Sequence, residues 1–244
     1  MIEIGVMGAT GRMGKHVMTL LKGEYSDRAV TGGSIALGQY QSEEDLEPLL
    51  TTDALIDFSM PEAVLPLVRL ALQTPRSTRL PVFIFGSTGW KPHQLSELEA
   101  LCARTPVLVS SNFSTGVLAV QQILEQAAPL LRKLGYSPVI VDTHHRHKKD
   151  APSGTALMLA NTIIATSGQK ADVHSIRAGE VIGEHEITFY GPADRITLGH
   201  FAQDRSMFAR GAIEAALWLA SARDSLEKSR ILTMKDFIAV SLLQ

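Results

Sequence analysis

The first half of the chain alternates short apolar runs with helix-like stretches. Strand candidates cover residues 2–7, 29–34, 54–58, 81–85 and 107–109, the last three mainly apolar. Between them, apolar residues recur at helical spacing: over 15–22, from Pro61 to about Gln73, and after Pro92, where Leu95, Leu98 and Leu101 share a face. Pro61 suits a first helical position, with Ser59 near the cap. This alternation predicts a parallel, doubly wound sheet. The pattern then changes. A long amphipathic helix over 117–134 is followed by a strand over 138–142 and a helix over 153–166 that starts from Ser153 as N-cap. The runs 173–177, 184–190 and 194–200 alternate side by side in the manner of strands, separated by Gly179, Gly183 and Gly191-Pro192. They predict an antiparallel or mixed sheet, so α+β in this part. An amphipathic helix over 205–222 closes the pattern. We therefore expect two domains, 1–114 with 205–244 and 115–204, the C-terminal helix and tail packing back on the first.

Composition narrows the possibilities. The 244 residues are 45% hydrophobic and 20% charged, ordinary for a globular enzyme. A net charge of -2 and 6% aromatics give no basic field and no basic-aromatic interleaving, so no nucleic-acid partner is expected. The single Cys102 excludes an internal disulfide framework and a cysteine-based zinc site. No apolar stretch approaches membrane-span length, and the first residues lack the charge-then-apolar pattern of a secretory signal. These features predict no membrane association and a cytoplasmic location.

Candidate chemistry lies at two places. Gly8, Gly11 and Gly14 sit between the first strand and the first helix, the position of a dinucleotide-binding turn. A plain glycine-rich turn is the other reading. Arg12 can reach a phosphate or be a helix-start charge. No acid ends the second strand to bind ribose hydroxyls; Ser34 stands there and can hydrogen-bond a hydroxyl or a phosphate, so the choice between NADH and NADPH stays open. Gly86, Ser87 and Thr88, and Ser110, Ser111, Asn112 and Phe113, end further strands, where ligands of such sheets lie. Asp57 reads equally as a loop brace or a ligand contact. The second place is the stretch from Asp142 to Ala156. It gathers His144, His145, Arg146, His147, Lys148 and Lys149 just before Ser153, Gly154 and Thr155. A helix start binds anions because its first amides are unpaired and lie at the positive dipole end. Cations beside it point to a small anionic substrate. A histidine metal cluster is the competing reading, but no carboxylate or cysteine stands at ligand spacing, and no metal is expected. Side chains alternate on extended backbone, so His144 and Arg146 face away from His145 and His147 unless the chain turns. Arg146, His147 and Lys149 read as solvated support, and His174, His185 and His200 as strand or loop residues.

In this order the pieces resemble the bacterial dihydrodipicolinate reductase family over nearly the whole chain. The resemblance rests on Gly8-Ala-Thr-Gly-Arg-Met-Gly14, Asp57-Phe-Ser59, Gly86-Ser-Thr-Gly89, Asn112-Phe-Ser114 and, above all, His144-His-Arg-His-Lys148 with Asp150-Ala-Pro-Ser-Gly-Thr-Ala156. Arg177-Ala-Gly179, Gly183-Glu-His185 and Phe208-Ala-Arg-Gly211 add support. It implies a Rossmann-type first domain and an α+β substrate-binding and oligomerisation domain with an open mixed sheet. It implies that Gly8, Ala9, Thr10, Gly11, Arg12 and Met13 hold a cofactor pyrophosphate, and that Gly86, Ser87, Thr88 and Ser110 to Phe113 line the nicotinamide side. His144 takes the general acid/base position and Lys148 the proton donor. His145, Gly154 and Thr155 bind the carboxylates of a small cyclic dicarboxylate. The implied reaction is NAD(P)H-dependent reduction of 4-hydroxy-tetrahydrodipicolinate, through its imine, in lysine and diaminopimelate biosynthesis, by a homotetramer. Such chemistry needs an ammonium near the ring nitrogen, where charge develops, and a histidine that titrates near neutrality. The chain departs from the family in Ser87, Ser111, Ser34 and Ile35, and in short linkers near 40–52 and before Ile176. A non-catalytic nucleotide sensor on the same fold, or a related two-domain dehydrogenase, are the alternatives; the latter has no need of the histidine-lysine block.

Overall fold

The structure, a computed structural model, describes residues 1–36, 40, 42–226 and 230–241. It divides into two compact units: Met1–Phe113 with Ser206–Gln244, and Ser114–Arg205.

In the first unit, β1 (Ile2–Met7) leads into α1 (Arg12–Lys22), followed by β2 (Ala29–Ile35), α2 (Glu47–Leu50) and β3 (Ala54–Asp57). Then come α3 (Pro61–Gln73), β4 (Val82–Phe85), α4 (Pro92–Cys102) and β5 (Val107–Val109). All five strands are parallel, in the order β2-β1-β3-β4-β5. The order reverses at β1, so the strand ends around Met7 form the switch-point crevice where such sheets bind ligands. β3 and β4 are buried throughout, which explains their unbroken apolar runs. Phe83, Phe85, Leu55 and Leu67 fill one core between the sheet and α2–α4. Each such side chain contributes roughly 1.5–3 kcal/mol through burial. The acidic residues Glu43 to Asp45 form an exposed 3-10 turn. Part of the short 40–52 linker, Gln41, lies outside the described residues.

The second unit opens with α5 (Thr115–Lys133), capped by the Ser114 hydroxyl, which accepts from the Val117 amide at 3.2 Å. β6 (Ser137–His144), α6 (Gly154–Ser167), β7 (Asp172–Arg177), β8 (Glu184–Tyr190) and β9 (Arg195–Phe201) follow. The sheet order is β7-β6-β8-β9, with β6 and β7 parallel and the other pairs antiparallel. The open sheet is thus mixed. On β6, Pro138, Ile140, Asp142 and His144 are buried while their neighbours are not. That face packs on α5 and α6 through Ile140, Leu124, Leu159, Ile187 and Phe189. The opposite face leaves Ile176, Tyr190 and Phe201 exposed.

The chain then returns to the first unit with α7 (Ser206–Ala222) and α8 (Met234–Ser241). α7 packs on α1, β1, β3 and β4, and Leu232 forms a parallel bridge to Leu108 on β5. Gly211 on α7 lies so close to the end of β5 that a Cβ there would stand 1.8 Å from the Phe113 carbonyl oxygen.

Ser59 lies next to the N-cap of α3, which is Met60, and its hydroxyl turns back to the Asp57 carboxylate. One expectation needs correction. β6 runs two residues beyond its expected end, to His144. Asp142 and His144, two apart on one strand, therefore face the same side, so a carboxylate does lie at contact distance from the histidines.

Candidate active site

At the strand ends of the first unit, the turn after β1 is built by glycines. Gly8 has φ +79, a left-handed conformation that a side chain resists. A Cβ on Gly14 would lie 2.2 Å from the Gly8 carbonyl oxygen, so only glycine lets α1 start this close to the turn. Gly8 and Ala9 donate their amides to the Ile35 carbonyl, and Gly11 to that of Gly8. The start of α1 at Arg12 and Met13 is where backbone amides lack intrahelical acceptors. Thr10, Gly11 and Arg12 are exposed, Ala9 and Met13 half-buried, and Arg12 is the first residue of α1 rather than part of the loop. Ser34 lies on β2 opposite Val6, with its side chain exposed. These features fit the phosphate end of a dinucleotide.

Asp57, Gly86, Ser87 and Thr88 end β3 and β4 beside this turn. A Cβ on Gly86 would strike the Phe58 ring at 2.2 Å, so the glycine makes room for that ring. Phe58 in turn meets Phe113 edge-on, with ring centroids 5.6 Å apart. Phe113 is buried, so its backbone is what it can offer a ligand. Ser110 donates its hydroxyl to the Asn112 carbonyl and accepts from the Asn112 amide, which folds the loop back; Ser111 is exposed. Thr88 is exposed, whereas the buried Ser87 hydroxyl has no aligned hydrogen-bond partner. Asp57 is fully buried. One carboxylate oxygen accepts from the Ser59 amide and hydroxyl, and the other has no partner. Burial pushes this carboxyl up to about 6, against the pull of Ser59 and the nearby Ser87. Asp57 is thus a loop brace at the rim of the crevice.

In the second unit, strand register assembles the chemistry. Asp142 pairs with Ser175 on β7 and His185 on β8, and His185 pairs with His200 on β9. One row across four strands so becomes Ser175, Asp142, His185, His200, with His144 and Arg177 paired in the row beside it. Asp142 Oδ2 accepts from the Ser153 amide (3.0 Å), Ser175 Oγ (3.2 Å) and Arg177 Nη2 (2.9 Å). Asp142 Oδ1 lies 2.9 Å from His144 Nδ1 and 3.4 Å from His185 Nε2. Burial pushes the Asp142 carboxyl up, but Ser153, Arg177 and His144 overcome it and hold it at about 2. Burial lowers the pKa of His144, with Asp142 opposing, and brings His185 down to about 4.

The chain turns after His144, so its alternation ends there. His144 is buried, Arg146 and His147 are exposed, and the His145 and His147 rings stand 6.3 Å apart. Lys148 Nζ pairs with Asp150 at 2.9 Å, its side chain 23% exposed. Ser153 caps α6, accepting from the Ala156 amide, with Gly154 exposed and Thr155 half-buried at the helix start. His144, His145, Lys148, Gly154 and Thr155 thus all lie on one stretch from the last residue of β6 to the first turn of α6. Asp142, His144 and His185 could each offer a ligand atom within 4.8 Å of the others. Arg177 already occupies Asp142, and Lys148 adds positive charge near His144, so a cation would meet repulsion there. Asp142, Arg177, His185 and His200 received no role from the sequence. The signal that could have found them is the period-two spacing of Asp142 and His144, extended by register to the neighbouring strands.

No helix among the described residues is long and apolar enough to cross a membrane. Family models described as the N-terminus and C-terminus of dihydrodipicolinate reductase match residues 2–113 and 116–238. A 4-hydroxy-tetrahydrodipicolinate reductase of Sulfurimonas denitrificans is 34% identical over 251 residues, covering 90% of this chain and 94% of its own. The protein of the same name from Zymomonas mobilis is 35% identical, covering 98% of each chain. The solved structure of a dipicolinate-bound dihydrodipicolinate reductase from Paenisporosarcina sp. TG-14 shares the fold, with a TM-score of 0.76 at 20% identity, over 96% of this chain and 97% of that one. With both its halves matched in order and such relatives spanning almost its full length, this chain belongs to the dihydrodipicolinate reductase family.

Proposed function

We propose that this chain uses His144 and Lys148 to move protons while 4-hydroxy-tetrahydrodipicolinate, through its dehydrated imine, is reduced to tetrahydrodipicolinate. The enzyme is an NAD(P)H-dependent reductase of lysine and diaminopimelate biosynthesis. The observation that carries the residue assignment is the single β6–α6 connection bearing a buried histidine, a paired lysine and a capped helix start.

When bound, the nicotinamide supplies a hydride. Gly8, Ala9, Thr10, Gly11, Arg12 and Met13 hold its pyrophosphate, Ser34 its ribose side, and Gly86 to Thr88 with Ser110 to Phe113 its nicotinamide side. Lys148 donates a proton to the ring nitrogen, where charge develops, and Asp150 aims its ammonium. His144, whose pKa is lowered by burial, is neutral at pH 7 and exchanges a proton with the substrate. His145 and the amides of Gly154 and Thr155 receive the carboxylates.

Residues 1–114 with 205–244 form the dinucleotide-binding domain, and 115–204 the substrate-binding and oligomerisation domain. The assembly is a homotetramer in the cytoplasm. The apolar side chains of Ile176, Tyr190 and Phe201 on the open sheet face support that association, and the free, buried Cys102 fits a reducing compartment.

The test is the initial rate of nucleotide oxidation with the condensation product of pyruvate and aspartate semialdehyde, with NADH and NADPH side by side. Turnover that collapses in Lys148→Ala supports the reading. Protein that binds NADPH but leaves it unoxidised with this substrate would instead be a nucleotide sensor.

A further inference from the structure

We propose that Asp142 and His185 are positioning residues that hold His144 as its Nδ1–H tautomer, leaving Nε2 as the atom that exchanges protons. This rests on the reading of His144 as a proton-transfer group.

The argument starts from the carboxylate. Asp142 is fully buried on β6, and its Oδ2 already takes three donors, from Ser153, Ser175 and Arg177. A carboxylate held this way stays ionised and can only accept. Its Oδ1 lies 2.9 Å from His144 Nδ1. A lone pair on Nδ1 would face that charge at contact distance and be repelled, so Nδ1 carries the hydrogen. The approach is off the hydrogen-bond axis, since neither atom finds an aligned partner. Tautomer control therefore depends on where the carboxylate and the ring are held.

His185 does this holding. Its Nε2 is 3.4 Å from Oδ1 and 3.2 Å from Ser153 Oγ, and its ring meets the His144 ring edge-on at 5.3 Å. With hydrogen on Nε2, His185 donates to Ser153 Oγ, keeps the polar edge of its ring against Oδ1, and blocks movement of the His144 ring. His200 stands behind it at 6.2 Å, anchored by Ser114 Oγ at 3.1 Å from its Nε2. Among the described residues, the charged or titratable groups facing His144 are Asp142 on its own strand, Arg177 on β7, His185 on β8 backed by His200 on β9, and Lys148 and Asp150 on the following loop. On the other side of the ring, Gly183 has no side chain; a Cβ there would lie 3.0 Å from His144 Nε2. The space at that nitrogen is kept open by backbone alone.

The experiment is a long-range proton–nitrogen NMR correlation on full-length protein labelled with 15N-histidine, at pH 7.5, with His144→Gln identifying the His144 signals. In the wild type, His144 is expected as Nδ1–H, favoured about tenfold or more, as a carboxylate charge at contact distance implies. His185→Leu should move the ratio toward the other tautomer and lower kcat about tenfold with KM unchanged. His185→Gln, whose amide nitrogen can stand where Nε2 stood, should restore both. A wild-type His144 with hydrogen on Nε2, or a ratio unmoved in His185→Leu, would overturn the proposal. The spectrum reads the tautomer independently of turnover, so full activity in His144→Gln would sink the proton-transfer reading without touching the measured tautomer.

Discussion

Replacing Asp57 by Asn should stabilise this protein in base and leave it nearly unchanged in acid. The carboxyl is fully buried at the end of β3, with one oxygen bound to Ser59 and the Ser87 hydroxyl nearby but not aligned with the other. Burial raises its pKa from 3.8 to about 6. Because the folded value lies above the unfolded one, its contribution is fully present below pH 3.8 and lost as pH rises through about 6. At about 1.36 kcal/mol per pKa unit, the ionised carboxylate costs about 3 kcal/mol at pH 8. Asn has the same shape, its carbonyl oxygen can still accept from Ser59, and it does not ionise. The assay is urea unfolding at pH 4 and pH 8, followed by tryptophan fluorescence. Both reporters suit the question: Trp90 and Trp218 lie in the same unit as Asp57, and Trp90 donates to the Ser87 carbonyl at 3.0 Å. The variant should gain about 3 kcal/mol over wild type at pH 8 and almost nothing at pH 4. An Asn variant no more stable at pH 8, or one whose advantage is the same at both pH values, would refute the argument that burial dominates at this carboxylate.

Three further outcomes are expected. Lys148→Ala should cut turnover by roughly 10²–10⁴ while nucleotide affinity, measured by titration, stays the same; near-normal turnover would show that another group protonates the ring nitrogen. Gly14→Ala should lower stability by about 3 kcal/mol and weaken nucleotide binding, because its Cβ would stand 2.2 Å from the Gly8 carbonyl oxygen; an unchanged urea midpoint would mean the turn yields easily. His185, lowered to about 4 from 6.5, contributes stability above pH 6.5 that is lost as pH falls through about 4. Circular dichroism of urea-unfolded samples should therefore show His185→Leu gaining about 3 kcal/mol relative to wild type between pH 7.5 and 4, and a constant difference would argue that His185 titrates normally.

Periodicity made most of the fold legible because β4 and β5 are unbroken apolar runs and β3 is one up to Asp57. β3 and β4 are buried on every residue, and helices with a clear three-four spacing separate them. The glycine turn and the capped start of α6 were likewise readable, since their chemistry is local. What escaped the sequence depends on register. Asp142, Ser175, His185 and His200 are far apart in the chain and become one row only when β6 pairs with β7 and β8, and β8 with β9. A one-residue slip would have turned each of them to the other face.

The route of the chain has a consequence for its synthesis. The unit that begins at Met1 is completed by Ser206–Gln244, whereas Ser114–Arg205 is continuous. A nascent chain that has emerged only to Arg205 holds every element of the continuous unit. At that moment it still lacks α7, which covers β1, β3 and β4, and Leu232, which borders β5. The segment made first therefore finishes folding last, with apolar strands waiting for their cover during elongation. Slow translation after residue 205 prolongs that exposure, and a premature stop there leaves a protein with its histidine cluster formed and its nucleotide crevice without a back wall.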